Sequence, residues 1–180
     1  LDLHAFIDGI IQSHGQIAHD GQLQRVNYAI LASKVPGVFN LGGDLALLRT
    51  AILDRDRTQL EKYAQMCVDD LYPWNRNFDL PVTTISLVQG TALGGGFEAA
   101  LASSVVVAEE SCKMGFPEVL FNLFPGMGAY SFLQRKVGRR ITEELIVSGN
   151  LYSARQLYDM GVIDVITADG TGEAAVANYV

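Results

Sequence analysis

The sequence predicts one α/β domain, and three observations carry that expectation. Thr83-Thr-Ile-Ser-Leu-Val88 is β-branched and apolar, as a buried strand is, and the chain after it breaks on Gly94-Gly95-Gly96 before resuming in the helix formers Phe97 to Leu101. Val38-Phe-Asn-Leu-Gly-Gly-Asp-Leu45 repeats the design: a strand runs through two glycines into a helix, with Asp44 at the N-cap position. The chain has 180 residues, 49% of them hydrophobic and 18% charged, enough for one domain with a real core and cramped for two. Residues 1–180 are therefore read as a single domain.

The remaining elements follow in order. Leu1 to His14 places Leu3, Phe6, Ile7, Ile10 and Ile11 at helical spacing, which predicts an amphipathic helix with surface histidines. Val26 to Ala32 reads as a buried strand that leaves through a Pro36-Gly37 turn. Asp54 to Tyr72 is a long amphipathic helix with Leu60, Tyr63, Ala64, Cys67, Val68 and Leu71 inward, so Cys67 is expected in the core. Pro73 to Pro81 is expected to be a loop, with Trp74 serving packing. Ser104–Ala108 and Cys112–Met114 read as short strands around a solvated Glu109-Glu110 turn. Val137–Val147 and Ser153–Met160 read as helices, the second capped by Ser153 and ended by Gly161, and Val162–Ile166 as a last strand. The closing run to Val180 reads as part of a helix.

Composition narrows the function. With 13 basic and 20 acidic residues the formal charge is −7, which does not attract a polyanion, so nucleic acid is not an expected partner. Cys67 and Cys112 form no CxxC, and no secretory signal is present, which points to a reduced, cytoplasmic setting. No apolar run reaches the length of a membrane span. His4, His14 and His19 have no ligand spacing, so neither a metal nor another cofactor is expected.

The glycine corners are where chemistry is expected. A glycine run lets the backbone approach a ligand, and the helix after it aims unpaired N–H groups back at the loop, where they can hold a developing negative charge. Two such corners supply the two converging donors that a thioester oxyanion needs. Glu98 stands in the first turn of the helix after Gly95, and the plain alternative is that it complements the helix dipole. Glu118 is the single acid among Phe116, Val119, Leu120, Phe121, Leu123 and Phe124. Apolar surroundings would destabilise its ionised form and fit it to carry protons near neutral pH, whereas the plain alternative is an exposed Glu after Pro117.

Together, Gly42-Gly43-Asp44, Ala92-Leu-Gly-Gly-Gly-Phe-Glu98, Pro117-Glu118 and Phe124-Pro-Gly-Met-Gly128 resemble the crotonase (enoyl-CoA hydratase/isomerase) superfamily. Gly149-Asn-Leu-Tyr-Ser-Ala154 and Met160-Gly-Val-Ile-Asp164 extend the likeness in the same order. More narrowly, Val38 to Ala46, Gly94 to Leu101 and Pro117 to Phe132 are similar to the diffusible-signal-factor synthases of bacterial quorum sensing.

The resemblance implies a ClpP/crotonase-like spiral of ββα units, with the family's initial strands and C-terminal helical region lying outside this sequence. It implies Glu98 and Glu118 as the acid/base pair, and Gly43 and Gly95 as oxyanion donors through their backbone N–H groups. Leu41, Gly42, Gly94, Phe97 and Gly126 would bind substrate. The substrate would be an acyl thioester carried by acyl carrier protein or coenzyme A, with no further cofactor. A synthase would dehydrate a 3-hydroxyacyl thioester and release a cis-2-unsaturated acid by added thioesterase activity. A homotrimer or hexamer and a sensor-kinase partner also follow from the likeness. Two alternatives remain open: an ordinary hydratase of fatty-acid metabolism, and a non-catalytic module of the same fold that binds a regulator.

Overall fold

A computed structural model describes residues 3–180, and Leu1 and Asp2, which the predicted first helix includes, lie outside them. The chain opens with α1 (Leu3–Gln12) and a hairpin of β1 (Gln16–His19) and β2 (Gln22–Arg25). A pattern then repeats. β3 (Tyr28–Ala32) and β4 (Gly37–Asn40) precede α2 (Leu45–Leu53) and α3 (Arg57–Asn75); β5 (Thr83–Val88) and β6 (Gly90–Leu93) precede α4 (Gly95–Leu101). β7 (Val105–Glu109) and β8 (Lys113–Gly115) precede a 3₁₀ turn at Pro117–Phe121 and α5 (Ala129–Val147). β9 (Leu151–Ser153), α6 (Ala154–Asp159), β10 (Val165–Thr167) and α7 (Gly172–Tyr179) complete the chain.

The first strand of each pair enters one parallel sheet, of order β10-β7-β5-β3, and the second enters another, of order β4-β6-β8-β9. This is the expected spiral of ββα units. Its consequence for function is geometric. β4, β6 and β8 are neighbouring parallel strands, with Asn40 beside Ala92 and Leu93 beside Gly115, so all three end at the same edge. The three turns that follow them therefore stand side by side, although they are far apart in sequence. The main core lies behind this edge, where Phe97, Leu101, Met114, Phe116, Leu133, Ile146 and Leu157 are buried.

Several expectations are corrected. β3 is an edge strand in which only Ala29 is buried, while Tyr28 and Ile30 are exposed. α3 continues through Pro73 to Asn75, because burial of Leu71 and Trp74 holds the final turn despite the missing N–H. Trp74 packs edge-on against Phe78, with centroids 5.4 Å apart, and donates its indole N–H to Ser103 Oγ at 2.7 Å. Cys67 is half-buried rather than in the core, and Ile11 is exposed. Glu109 is not solvated: it is buried and accepts from Gln89 Nε2 and Gly172 N, both at 3.0 Å, tying α7 to β7. α5 begins eight residues before the predicted Val137, and Gly138, at φ 73°, kinks it. Among the described residues no helix is long and apolar enough to cross a membrane.

Candidate active site

The first corner is Leu41-Gly42-Gly43-Asp44. Gly42 lies at φ 92° with its N–H bonded to Asn40 Oδ1 at 2.8 Å, a backbone conformation that a side chain would strain. Asp44 caps α2, accepting from the N–H groups of Ala46 and Leu47 at 3.0 Å each. The second corner is Gly94-Gly95-Gly96, where Gly94 turns the chain at φ 53° and its carbonyl accepts from the N–H groups of Phe97 and Glu98 at 2.8 and 2.9 Å. Gly96 abuts the Asn40 backbone, so α4 can lie against β4 only with a glycine there. The corners touch: a Cβ on Gly95 would stand 3.7 Å from Gly43 N, and one on Gly42 would stand 3.3 Å from Gly95 N. No described hydrogen bond occupies the Gly43 or Gly95 N–H. Two backbone donors thus meet at the strand ends.

Glu98 is 2% exposed, one turn into α4. Its Oε1 accepts from Met127 N at 2.8 Å and Ala129 N at 3.0 Å, which satisfies two donors at the start of α5. Burial pushes its carboxyl above the ordinary carboxylate range. The amides of Ala129 and Met127 draw it back without cancelling that effect, and the charge of Glu118 raises it further. The carboxyl thus satisfies donors at the start of α5, a different helix from the one whose dipole it was expected to complement.

Glu118 sits in the 3₁₀ turn after β8, with Oε1 2.5 Å from where a Cβ on Gly94 would stand. Its Oε2 is the one buried side-chain polar atom among the described residues that lacks a partner. A buried polar atom without a partner is uncommon in folded proteins, and a catalytic role is one of the reasons for it. Burial raises its proton affinity as well. The apolar enclosure expected from the sequence is incomplete, because Leu120, Phe121, Leu123 and Phe124 are exposed.

Gly42, Gly43, Gly94, Gly95, Glu98 and Glu118 are thus brought together. Leu41 is exposed at the first corner, and Gly126 is exposed next to Met127, whose Cε lies 2.6 Å from a Cβ position on Gly95. Phe97 differs: its side chain is fully buried and stacks on Phe116 at 4.9 Å, so it supports the site from beneath and does not line it. Three contributors were missed in the sequence. Asn40 and the Met127 amide had no distinguishing signal, and Tyr63 was absorbed into the apolar face of α3, although its Oη accepts the Asp44 N–H at 2.8 Å.

The family model for enoyl-CoA hydratase/isomerase matches residues 4–176. The chain belongs to that family, within the crotonase superfamily. It is 33% identical over 153 residues to the mitochondrial methylglutaconyl-CoA hydratase of Homo sapiens, a match covering 84% of this chain and 43% of that one. It is 40% identical over 93 residues to the enoyl-CoA isomerase/hydratase fer4 of Mycosarcoma maydis, covering 51% of this chain and 34% of the relative. The chain thus spans less than half the length of these relatives. Among solved structures, an enoyl-CoA hydratase from Bacillus anthracis superposes with TM-score 0.82 at 24% identity, covering 98% of this chain and 63% of that one. DspI of Pseudomonas aeruginosa gives TM-score 0.82 at 21% identity, covering 98% and 61%. Both structures bear on the fold.

Proposed function

We propose that this protein moves water across the Cα–Cβ bond of an acyl thioester, with Glu98 and Glu118 as the acid/base pair and the Gly43 and Gly95 amides holding the thioester oxygen. The observation that carries this is the meeting of two free backbone donors with two carboxyls, Glu98 buried and Glu118 half-buried, whose proton affinities are both raised. In the dehydration direction ionised Glu118 takes the α-proton, and electron density moves onto the thioester oxygen between the two amides. The β-hydroxyl then leaves with the proton of Glu98, giving the 2-enoyl thioester and water. Proton exchange with solvent resets both acids. No metal or redox partner enters this balance.

The substrate is a 3-hydroxyacyl group on acyl carrier protein, and a carboxylate-activated water then releases the cis-2-unsaturated acid and the free thiol. What supports this finer reading is the similarity of Val38–Ala46, Gly94–Leu101 and Pro117–Phe132 to signal synthases. The second reading, hydration of an enoyl-CoA, is favoured by the names of the relatives. Mass spectrometry of the products separates the two. Free unsaturated acid from 3-hydroxyacyl-carrier protein supports the synthase, and rapid hydration of trans-2-enoyl-CoA without free acid supports the hydratase. Loss of neither substrate would reject both.

A further inference from the structure

Three successive amides at the first corner have different fates. Gly42 N–H goes to Asn40 Oδ1 and Asp44 N–H to Tyr63 Oη, each at 2.8 Å, while the Gly43 N–H between them has no described acceptor. Gly43 and Asp44 are exposed, so little packing restrains them. An exposed Gly-Gly segment left to itself populates many backbone states and would spread the direction of its N–H groups. Tyr63 comes from α3, 19 residues away in sequence, and its Oη lies 3.2 Å from where a Cβ on Gly43 would stand. The hydroxyl therefore occupies the space beside Gly43 that a side chain there would need, as well as holding its neighbour.

We propose that Tyr63 is a positioning residue: its hydroxyl, opposite the Asn40 carboxamide, fixes the Gly43 peptide so that this amide alone of the three faces the thioester oxygen. The inference rests on reading Gly43 as an oxyanion donor. The two side chains work by occupying the flanking donors, which leaves the corner a single free N–H in a single direction. Tyr63 is suited to the task because a phenol is neutral near pH 7, and burial raises its proton affinity further. Misplacing a reacting group by about 1 Å can cost about 10²-fold in rate.

Tyr63→Phe tests this, since it keeps the ring and removes only the acceptor. Hydrogen exchange at the Asp44 amide should accelerate about fivefold, because a net hydrogen bond is worth roughly 1 kcal/mol. On a thioester that the parent protein turns over, kcat should fall about 10- to 100-fold with KM nearly unchanged, equally for short and long acyl chains. Unchanged exchange at Asp44, unchanged kcat, or a rise in KM alone would each overturn the proposal. A parent protein inactive on every thioester would instead reject the underlying site reading, and the role of Tyr63 with it; the exchange measurement would still report whether the tether exists.

Discussion

Glu118 and Gly94 share one space: the carboxyl Oε1 of Glu118 lies 2.5 Å from the point where a side chain on Gly94 would begin. The glycine is thus what admits the second carboxylate to the oxyanion corner, and it also supplies the positive φ of 53° that starts α4 close to β4. Gly94→Ala should displace Glu118 and strain the turn. We expect a fall in turnover of about 10²-fold and a loss of about 1–3 kcal/mol in stability. Denaturant unfolding and steady-state kinetics check both, and a variant matching the parent in each would show that Glu118 does not need that space.

Both acids bind protons more tightly than free carboxyls, chiefly because they are buried. In the dehydration direction Glu118 must be ionised and Glu98 protonated, so activity should fall as pH drops through the raised value of Glu118 and as it rises through that of Glu98. The two limbs belong to the coupled pair. For stability, the folded state holds these protons where the unfolded chain releases them. Stability is therefore fully retained below the ordinary glutamate value of about 4.3 and declines as pH rises through the folded values. Glu118→Gln should be more stable than the parent at pH 8, and the difference should vanish below pH 4. A difference of the opposite sign in urea unfolding at pH 8 would contradict the assignment of buried, destabilised charge.

The oxyanion role of Gly95 predicts a loss that ignores chain length, because the donor is a backbone group. Gly95 has an ordinary φ, and an added methyl would crowd only Met127 Cε, the movable end of a side chain, while meeting Gly42 Cα and Gly43 N at an ordinary 3.7 Å. Gly95→Ala should therefore fold and lose part of its rate, while Gly95→Val should block the ligand and approach the roughly 10²–10³-fold cost of a missing donor. Turnover of a short and a long acyl thioester decides the matter, since a loss confined to one length would make Gly95 a pocket residue.

Most of the site was legible because it is written in glycines and acids whose spacing has few other uses. The Gly42-Gly43-Asp44 and Gly94-Gly95-Gly96 corners, the Asp44 cap and the Ser153 cap all stand where local chemistry puts them. What escaped depends on pairing between distant segments. β6 was hidden because Gln89-Gly90-Thr91 has no strand periodicity, yet its parallel ladders to β4 and β8 align the three corners. Glu109 looked like turn chemistry until Gln89 and Gly172 were brought to it. Val26–Ala32 was apolar enough to read as buried, and only the sheet order reveals an edge. Tyr63 shows the same limit at the scale of one side chain: helical spacing predicts which way it faces, but not that its hydroxyl meets Asp44 N–H.

The central claim is that Glu98 and Glu118 carry the protons, and the most direct measurement is kcat for dehydration of a 3-hydroxyacyl thioester by folded Glu98→Gln and Glu118→Gln. The amide preserves shape, and at position 98 its oxygen can still accept the Met127 and Ala129 N–H groups, so structure is retained while the proton is removed. Each variant should lose about 10²–10⁴-fold in kcat with circular dichroism unchanged. Near-parental turnover in either one would remove that residue from the mechanism and contradict the paired-carboxylate account.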